Sequence, residues 1–367
     1  MKIVDIRASA HRVEVPIPLF DQPVVTRKIV QCEVHTDTGE VGHGMTGGQF
    51  LPHSVVTALE NDFFESVEGL DPRNTEMIHE KLWWDLNQRA MTGVFSMSLS
   101  ALDIACWDLR GKSEGRTVAQ LLGGFRDWAP IYVTFGFPRY DTDQLVEAAK
   151  LQVAKGIERL KMVVGVHKGG WAEDARRVRA VRDAIGPDIE LMIDANYKFS
   201  PVDAKQLCRA IEDCNLTWFE EPLYANDPRA MADLRRETRI PLAAGQMEGS
   251  RWRYRAFIDH QSLDILQPNC CYNGGYTETL KVASMAQAYN MPIANGGGWP
   301  LHNLHTMAGL MNGWRVEFHL GMQATGELLF KDPPKPEGNI VRVSPRPGLG
   351  LEPNKDALKD TIIKPKR

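Results

Sequence analysis

The chain has 367 residues, a formal net charge of −4 at pH 7 and six cysteines. This charge offers no basic field for nucleic acid, and no apolar run is long enough to span a bilayer. Charged residues follow the first Met and the cysteines show no metal-type spacing. We therefore expect a cytoplasmic protein with reduced thiols and no signal peptide.

The first third of the chain combines two patterns. Strand-like alternation covers Lys2–Val13 and Lys28–Thr36 and is followed by a turn at Asp37–Glu40, which predicts a hairpin. From Ser54 to Arg110 the apolar residues recur with helical period. A glycine stop at 123–124 closes this part. Residues 1–125 are therefore predicted to form an α+β unit.

From residue 126 to residue 330, short apolar strands alternate with helical patterns. The eight predicted strands lie at 131–136, 159–164, 190–196, 216–222, 240–246, 262–269, 291–296 and 314–319. This alternation predicts a (β/α) barrel, or at least a large parallel sheet. Residues 331–367 are rich in proline and glycine, and we expect them to pack back toward the first unit as irregular structure and short strands.

Four of the predicted strands carry polar residues at or near their carboxyl ends, namely Lys161, Asp194, Glu220 and Gln246, and the last two steps are each 26 residues. Every strand of a barrel brings its last side chains to the same rim, so we expect these four to converge. Two carboxylates and one amide form a set of oxygen ligands suited to Mg²⁺. Strand alternation places Glu248 on the same side as Gln246, and either could be the third ligand.

Three stretches resemble the mandelate racemase and muconate lactonizing enzyme family of the enolase superfamily. They are Ser98–Asp108 followed by 121–124, Ile193–Asn196 together with Trp218–Pro222, and Pro347–Gly350. The resemblance covers essentially the whole chain and implies a modified TIM-type (β/α)7β barrel with an N-terminal α+β capping domain. It also implies abstraction of a proton next to a carboxylate, with Mg²⁺ stabilising the enediolate. Metal and cations are needed there because such a proton is weakly acidic.

The resemblance assigns the metal ligands residue by residue. Asp194 and Glu220 match the first two ligands of the family. Gln246 takes the third position, where a carboxylate is usual, and this lowers the formal charge of the site by one. Glu221, which precedes Pro222, matches a supporting carboxylate.

The acid–base positions depart from the family pattern. Lys161 matches the first lysine of the Lys-x-Lys motif, but Val163 stands where the second lysine, the usual base, is expected. Asn269 and Gly296 stand where other members carry an aspartate–histidine dyad. The remaining candidates for the catalytic acid and base are Lys161, His302 and Glu317.

The leading functional hypothesis is a Mg²⁺-dependent hydro-lyase that dehydrates a sugar acid. Dehydration needs one base and one acid and does not use the paired bases of racemisation. A racemase, epimerase or cycloisomerase of the same superfamily is the alternative, and a non-catalytic member that binds a carboxylate or metal is a third. We expect a small-molecule carboxylate substrate and a homo-oligomer. The resemblance also implies that two loops, Pro16–Gln22 and His43–Phe50, cover the site.

Overall fold

The computed structural model describes residues 1–23, 25–87 and 92–364, and its first part is an antiparallel sheet. The strands are β1 (Ile3–Val15), β2 (Val25–Thr36) and β3 (Val41–Gly47), in the order β1-β2-β3. The predicted turn at Asp37–Glu40 joins β2 to β3. Residues of β1 and β2 on one face of the sheet, including Ile3, Ile6, Val30 and Val34, are buried against the helices that follow.

Five helices complete this part: α1 (Pro52–Ala58), α2 (Phe64–Val67), α3 (Thr75–Leu86), α4 (Val94–Glu114) and α5 (Val118–Leu122), with a π-helical turn at Leu59–Phe63. Helix α4 is buried along most of its length. Strand β3 approaches it so closely that a Cβ on Gly44 would lie 1.9 Å from the carbonyl oxygen of Ala101. Glycine at this position therefore allows the sheet to pack on α4.

The second part is a ring of parallel strands. The strands are β4 (Trp128–Gly136), β5 (Arg159–Val163), β6 (Glu190–Asp194), β7 (Leu216–Glu220), β8 (Leu242–Ala244), β9 (Ile265–Leu266) and β10 (Val316–His319). They pair consecutively from β4 to β9, and β10 pairs with β4. The predicted fold class, a TIM-type barrel with a capping domain, is confirmed.

Helices alternate with these strands. They are α6 (Thr142–Ala154), α7 (Gly170–Ile185), α8 (Pro201–Ala210), α9 (Pro228–Glu237), α10 (Arg251–Asp259), α11 (Gly275–Ala288), α12 (Pro300–Gly309) and α13 (Leu320–Leu329). Short 3₁₀ turns lie at Glu212–Cys214 and Tyr224–Asn226.

The continuous strand predicted at 291–296 is wrong. Ile293 forms isolated parallel bridges to Leu266 and to Gly313, which close the ring at this place. Beyond it, Gly297 and Gly298 have φ of 73° and 70°, in the left-handed region. These two glycines turn the chain immediately after the predicted segment, which keeps the extended part around Ile293 short.

The barrel interior is apolar below its carboxyl-terminal rim. It packs Tyr132, Met192, Trp218, Ala243, Ile265 and Ala294. Successive side chains of a strand alternate, so Asp194 and Glu220 face the same interior one layer above Met192 and Trp218. The apolar layer therefore supports the polar one.

The last part of the chain contacts both units. It contains β11 (Phe330–Lys331), β12 (Pro336–Glu337), β13 (Ile340–Arg342), β14 (Glu352–Pro353) and α14 (Lys355–Thr361). Strand β13 pairs with β4, and Ile362 bridges His11 of β1. Of the segment 331–367, residues 365–367 lie outside the described residues. None of the helices described is both long and apolar enough to cross a membrane.

Candidate active site

The carboxyl-terminal ends of β5, β6 and β7 lie in register. Val163 pairs with Asp194, and Asp194 pairs with Glu220. Gln246 follows the end of β8 by two residues. Lys161 stands two residues before Val163, so its side chain faces the same interior from the layer below. The structure thus brings the four predicted strand-end residues to one rim.

The ammonium group of Lys161 lies among three carboxylates. Its Nζ is 2.6 Å from Glu220 Oε1, 3.2 Å from Asp194 Oδ2 and 3.1 Å from Glu317 Oε1. The ring centroid of Tyr132 lies 5.3 Å away. Burial lowers the pKa of Lys161, but the carboxylates outweigh it and raise the pKa well above its ordinary value. Lys161 is a charged counter-ion beneath the rim.

One lysine does not balance this cluster. If all three carboxylates were ionised, their charge and that of the one ammonium would sum to −3 + 1 = −2. Burial raises the pKa of Glu220 well above its ordinary value, although Lys161 opposes the shift. Like charges held together in a low-dielectric interior are costly. The donor set therefore fits a further divalent cation.

Hydrogen bonds show which carboxylate oxygens remain for such a cation. Oδ1 of Asp194 accepts from the backbone and side-chain nitrogens of Asn196, at 2.8 and 3.0 Å. Oε2 of Glu220 accepts from Trp218 Nε1 at 3.2 Å and from Gln267 Nε2 at 2.7 Å. Among the described residues, the other oxygen of each carboxylate has one partner, Lys161 Nζ, at 3.2 Å from Asp194 Oδ2 and 2.6 Å from Glu220 Oε1. Each of these two oxygens has a further lone pair, so they are the candidate metal-binding atoms.

The two candidates for the third ligand, Gln246 and Glu248, lie in different surroundings. Gln246 lines the same cavity as Asp194, and its Nε2 donates to Glu221 Oε2 at 2.7 Å. Its amide oxygen is therefore not used in that contact. Glu248 is buried, and its Oε2 accepts from Arg253 Nε at 2.8 Å, away from the cavity-lining residues. The geometry favours Gln246.

Within the described ranges, no three His, Cys, Asp or Glu side chains are arranged as a metal site by themselves. At the rim, the candidate third donor is the amide of Gln246, which is not one of these residue types, and the ammonium of Lys161 lies between the carboxylates.

Glu317, one of the predicted catalytic residues, belongs to this carboxylate cluster and also lines the open cavity. It ends up at the cavity surface and accepts hydrogen bonds from Thr134 Oγ1 and, at 2.6 Å, from the backbone N–H of Gly298. Burial raises the pKa of Glu317, but the Lys161 ammonium and the hydrogen bonds from Thr134 and Gly298 outweigh it, and the pKa lies below its ordinary value. Glu317 is therefore an ionised carboxylate at neutral pH.

A cavity of about 590 Å³ lies between the capping domain and the rim. The capping side includes Arg27, Lys28, Gln49, Phe50 and Leu51, and the barrel side includes Val163, Asp194, Gln246, Glu317 and His319. The expected loop His43–Phe50 thus contributes to the lining. The other expected loop, Pro16–Gln22, does not line it, and its Phe20 stacks on Tyr140 instead.

His302 lies outside this cavity. Its ring is buried in α12 and faces the ring of Phe330, with centroids 5.8 Å apart. Burial lowers the pKa of His302 to about 3. The structure therefore does not bring His302 to Lys161 and Glu317, because the first turn of α12 points it into the core.

Asn269 and Gly296 have structural roles in this chain. Asn269 Nδ2 donates to the carbonyl oxygen of Gly296 at 2.7 Å and to that of Gly298 at 3.2 Å. A Cβ added to Gly296 would lie 3.1 Å from Gln267 Cβ, which leaves little room for a larger side chain. These contacts fix the loop whose Gly298 N–H holds Glu317.

Two residues of the cavity escaped the sequence analysis. Nη2 of Arg27 donates to Nε2 of His319 at 3.2 Å. Burial lowers the pKa of His319 to about 3, and Arg27 adds to this, so the imidazole is neutral at neutral pH. His319 ends β10, so the strand-end pattern could have found it. Arg27 carries no such signal, because it arrives from the capping domain.

Two regions of the chain match known families. Residues 2–123 match the mandelate racemase / muconate lactonizing enzyme N-terminal domain, and residues 144–357 match the enolase C-terminal domain-like family. The chain belongs to the mandelate racemase/muconate lactonizing enzyme family of the enolase superfamily. The family predicted from the motifs is confirmed.

Relatives in this family are enzymes. D-galactarolactone cycloisomerase from Agrobacterium fabrum is 32% identical over 98% of this chain and 98% of its own. Arabinonate dehydratase from Saccharolobus solfataricus is 26% identical over 88% and 87%. The crystal structure of L-talarate dehydratase from Polaromonas sp. JS666, complexed with Mg and L-glucarate, is 29% identical with a TM-score of 0.87, and the match covers 99% of this chain and 98% of that one.

Proposed function

We propose that the protein is a Mg²⁺-dependent lyase that removes water from a sugar acid after taking the proton next to its carboxylate. One observation carries this proposal. Glu317 places one ionised carboxylate at the cavity surface, whereas Asn269 and Gly296, at the positions of the missing dyad, are used to hold the loop. The two dyad positions therefore supply no acid or base, whereas Glu317 supplies one at the cavity surface.

The rim residues Asp194, Glu220 and Gln246 are the proposed Mg²⁺ ligands. The uncompensated charge of the carboxylate cluster and the two remaining carboxylate oxygens support this assignment. Mg²⁺ bound there would supply the positive charge that stabilises negative charge developing on the substrate carboxylate. Solved relatives that contain magnesium agree with it.

Glu317 is the proposed proton acceptor. It is ionised at neutral pH, and Lys161 acts as a positioning residue that keeps it so. The C–H bond next to the carboxylate breaks as Glu317 takes the proton. The same carboxyl group can return this proton to a hydroxyl on the neighbouring carbon, whose C–O bond breaks as the C=C bond forms. Water leaves, and the enol becomes a 2-keto acid.

Epimerisation fits this site less well. It requires one group to remove a proton from one face and a second group to return a proton to the other. The proposed mechanism needs a single face, on which the same carboxyl group acts twice. His302 has no part in it because its ring lies outside the cavity.

A cycloisomerase is the second candidate, favoured by the 32% identity to D-galactarolactone cycloisomerase across nearly both chains. The chemistry is the same until the C–O bond breaks. In a lactone the leaving oxygen stays attached to the molecule, so the product is an isomer of the substrate and no water is lost.

One assay separates these activities. The protein is incubated with Mg²⁺ and a panel of sugar acids and their lactones in D2O, and products are measured by NMR and mass spectrometry. A keto product lighter by one water marks the dehydratase, and a keto isomer of a lactone marks the cycloisomerase. Deuterium in recovered substrate without keto product contradicts the proposal. Glu317→Gln should lose the product, whereas Glu248→Gln should retain it.

A further inference from the structure

Arg27 extends from β2 of the capping domain into the cavity that Glu317 and Asp194 line from the barrel side. Its guanidinium has five N–H donors. Nη1 donates to the carbonyl oxygen of Thr26 at 3.1 Å and Nη2 to His319 at 3.2 Å, which leaves 5 − 2 = 3 donors. One of these, on Nε, is buried without a partner.

The charge of Arg27 is not balanced by the contacts of the described residues. In the described ranges, no carboxylate lies within 4.0 Å of its guanidinium nitrogens. Its side-chain partner, His319, is neutral at neutral pH and accepts the hydrogen bond through a ring nitrogen. Arginine keeps its charge over the working pH range, so the cavity wall carries a free cation. Lys28 adds a second positive group at the same end.

The cavity lining carries charges of both signs. Asp194, Gln246 and Glu317 line the barrel side, where the proposed metal would bind and where Lys198 also lies, and Arg27 and Lys28 come from the capping domain. Arg27 contacts His319, which lies two residues beyond Glu317 on β10. The cavity of about 590 Å³ has room for a short sugar-acid chain between the capping side and the barrel side.

We infer that Arg27 binds a second carboxylate at the far end of the substrate, so that the enzyme acts on sugar diacids, or on their lactones that keep one free carboxylate, in preference to sugar monoacids. This inference rests on the proposed function and adds the substrate class to it. The planar guanidinium suits a carboxylate because two parallel N–H donors can meet its two oxygens. A hydroxymethyl group at the same place would leave the buried charge unpaired.

Matched substrates test this assignment. Galactarate and galactonate share their configuration and differ in whether the far carbon is a carboxylate or a hydroxymethyl group, and glucarate and gluconate form a second pair. The values of kcat and KM are measured with Mg²⁺ for the wild type, Arg27→Met and Arg27→Lys. The control is Arg12→Met, since Arg12 lies on the same sheet in an exposed ion pair with Glu14.

The wild type should prefer the diacid of each pair that reacts. Arg27→Met should lower kcat/KM for the diacid by about tenfold to a hundredfold, mainly through KM, because a charged hydrogen-bonded contact is lost. The monoacid rate should stay within about twofold, Arg27→Lys should be intermediate, and Arg12→Met should match the wild type. A wild-type preference for monoacids, or an equal loss for both substrates in Arg27→Met, would overturn the inference.

Calorimetry keeps the test independent of turnover. If no substrate reacts, binding of galactarate and galactonate is measured with Mg²⁺ present. Binding of the diacid by the wild type and its loss in Arg27→Met would support the anion subsite and contradict only the proposed dehydratase activity. Equal binding of diacid by both proteins, or of diacid and monoacid by the wild type, would overturn the subsite itself.

Discussion

The side-chain amide of Gln246 donates from Nε2 to Glu221 Oε2 at 2.7 Å, and this contact determines which way its oxygen points. Burial and then Asp194 raise the pKa of Glu221 to about 8, while Gln246 and Asn226 lower it through hydrogen bonds. Gln246 is therefore more than a neutral substitute for a carboxylate. Its nitrogen supports the buried Glu221, and its oxygen is left for the proposed metal.

Replacing Gln246 by methionine should weaken Mg²⁺ binding by about tenfold to a hundredfold, because one of the three proposed oxygen ligands is lost. The dissociation constant is measured by isothermal titration calorimetry. Glu248→Gln is the matched control, since Glu248 is buried two residues away and pairs with Arg253. An unchanged constant in Gln246→Met together with a weakened one in Glu248→Gln would reverse the choice of ligand.

Lys161→Met should destabilise the metal-free protein by about 3–5 kcal/mol, because removing the ammonium leaves three buried carboxylates without their cation. Mg²⁺ should restore part of this loss, so it should raise the melting temperature of the variant more than that of the wild type. Differential scanning calorimetry with and without Mg²⁺ measures both effects.

Lys205→Met serves as the control for this variant, since Lys205 forms an ion pair with Glu237 on the protein surface and such pairs contribute little. An equal Mg²⁺-induced rise in Lys161→Met and the wild type would show that Lys161 and the metal do not share the same carboxylates.

The sequence predicted the strand ends well because they depend on short patterns. Asp194 and Glu220 follow apolar strands whose length and spacing are visible in the chain, and the parallel register then places them side by side. The choice between Gln246 and Glu248 depends on something else. Arg253, five residues after Glu248 and near the start of α10, donates a hydrogen bond to Glu248. This contact favours Gln246 as the ligand.

The wrong prediction of His302 as a site residue and the failure to predict Arg27 share a physical cause. Both positions depend on packing between segments that are distant in the sequence. His302 lies near the rim in sequence, but the packing of α12 against Phe330 turns its ring into the core. Arg27 reaches the cavity because the capping sheet is placed over the barrel, and its contact with His319 spans 292 residues. Neither relation leaves a local pattern for sequence analysis to detect.

Asn269→Asp should destabilise the fold and should not create a working dyad. The side-chain nitrogen now donates to the carbonyl oxygens of Gly296 and Gly298, and a carboxylate oxygen would face both acceptors. Both carbonyl oxygens keep Asn295 Nδ2 as a donor, so the cost comes from a buried carboxylate oxygen that faces acceptors without a donor, about 1–3 kcal/mol. Urea unfolding measures the loss, and Asn290→Asp on the surface is the control. A variant as stable as the wild type would mean that these two hydrogen bonds contribute nothing.

Acid should destabilise the protein partly through His305, which ties α12 to two other segments. Its Nδ1 accepts from the backbone N–H of Ala119 at 3.2 Å, and Nε2 donates to the carbonyl oxygen of Leu349 at 3.1 Å, so the ring is neutral. Burial lowers the pKa of His305 to about 4. Between about pH 6.5 and pH 4 the unfolded chain binds a proton that the folded protein does not, so stability falls as the pH falls. A shift of this size corresponds to about 3 kcal/mol.

His305→Gln should therefore flatten the decline in unfolding free energy measured by urea titration across this window, whereas replacing the exposed His260 by Gln should leave it unchanged. The same decline in His305→Gln and the wild type would exclude this residue as a source of acid sensitivity.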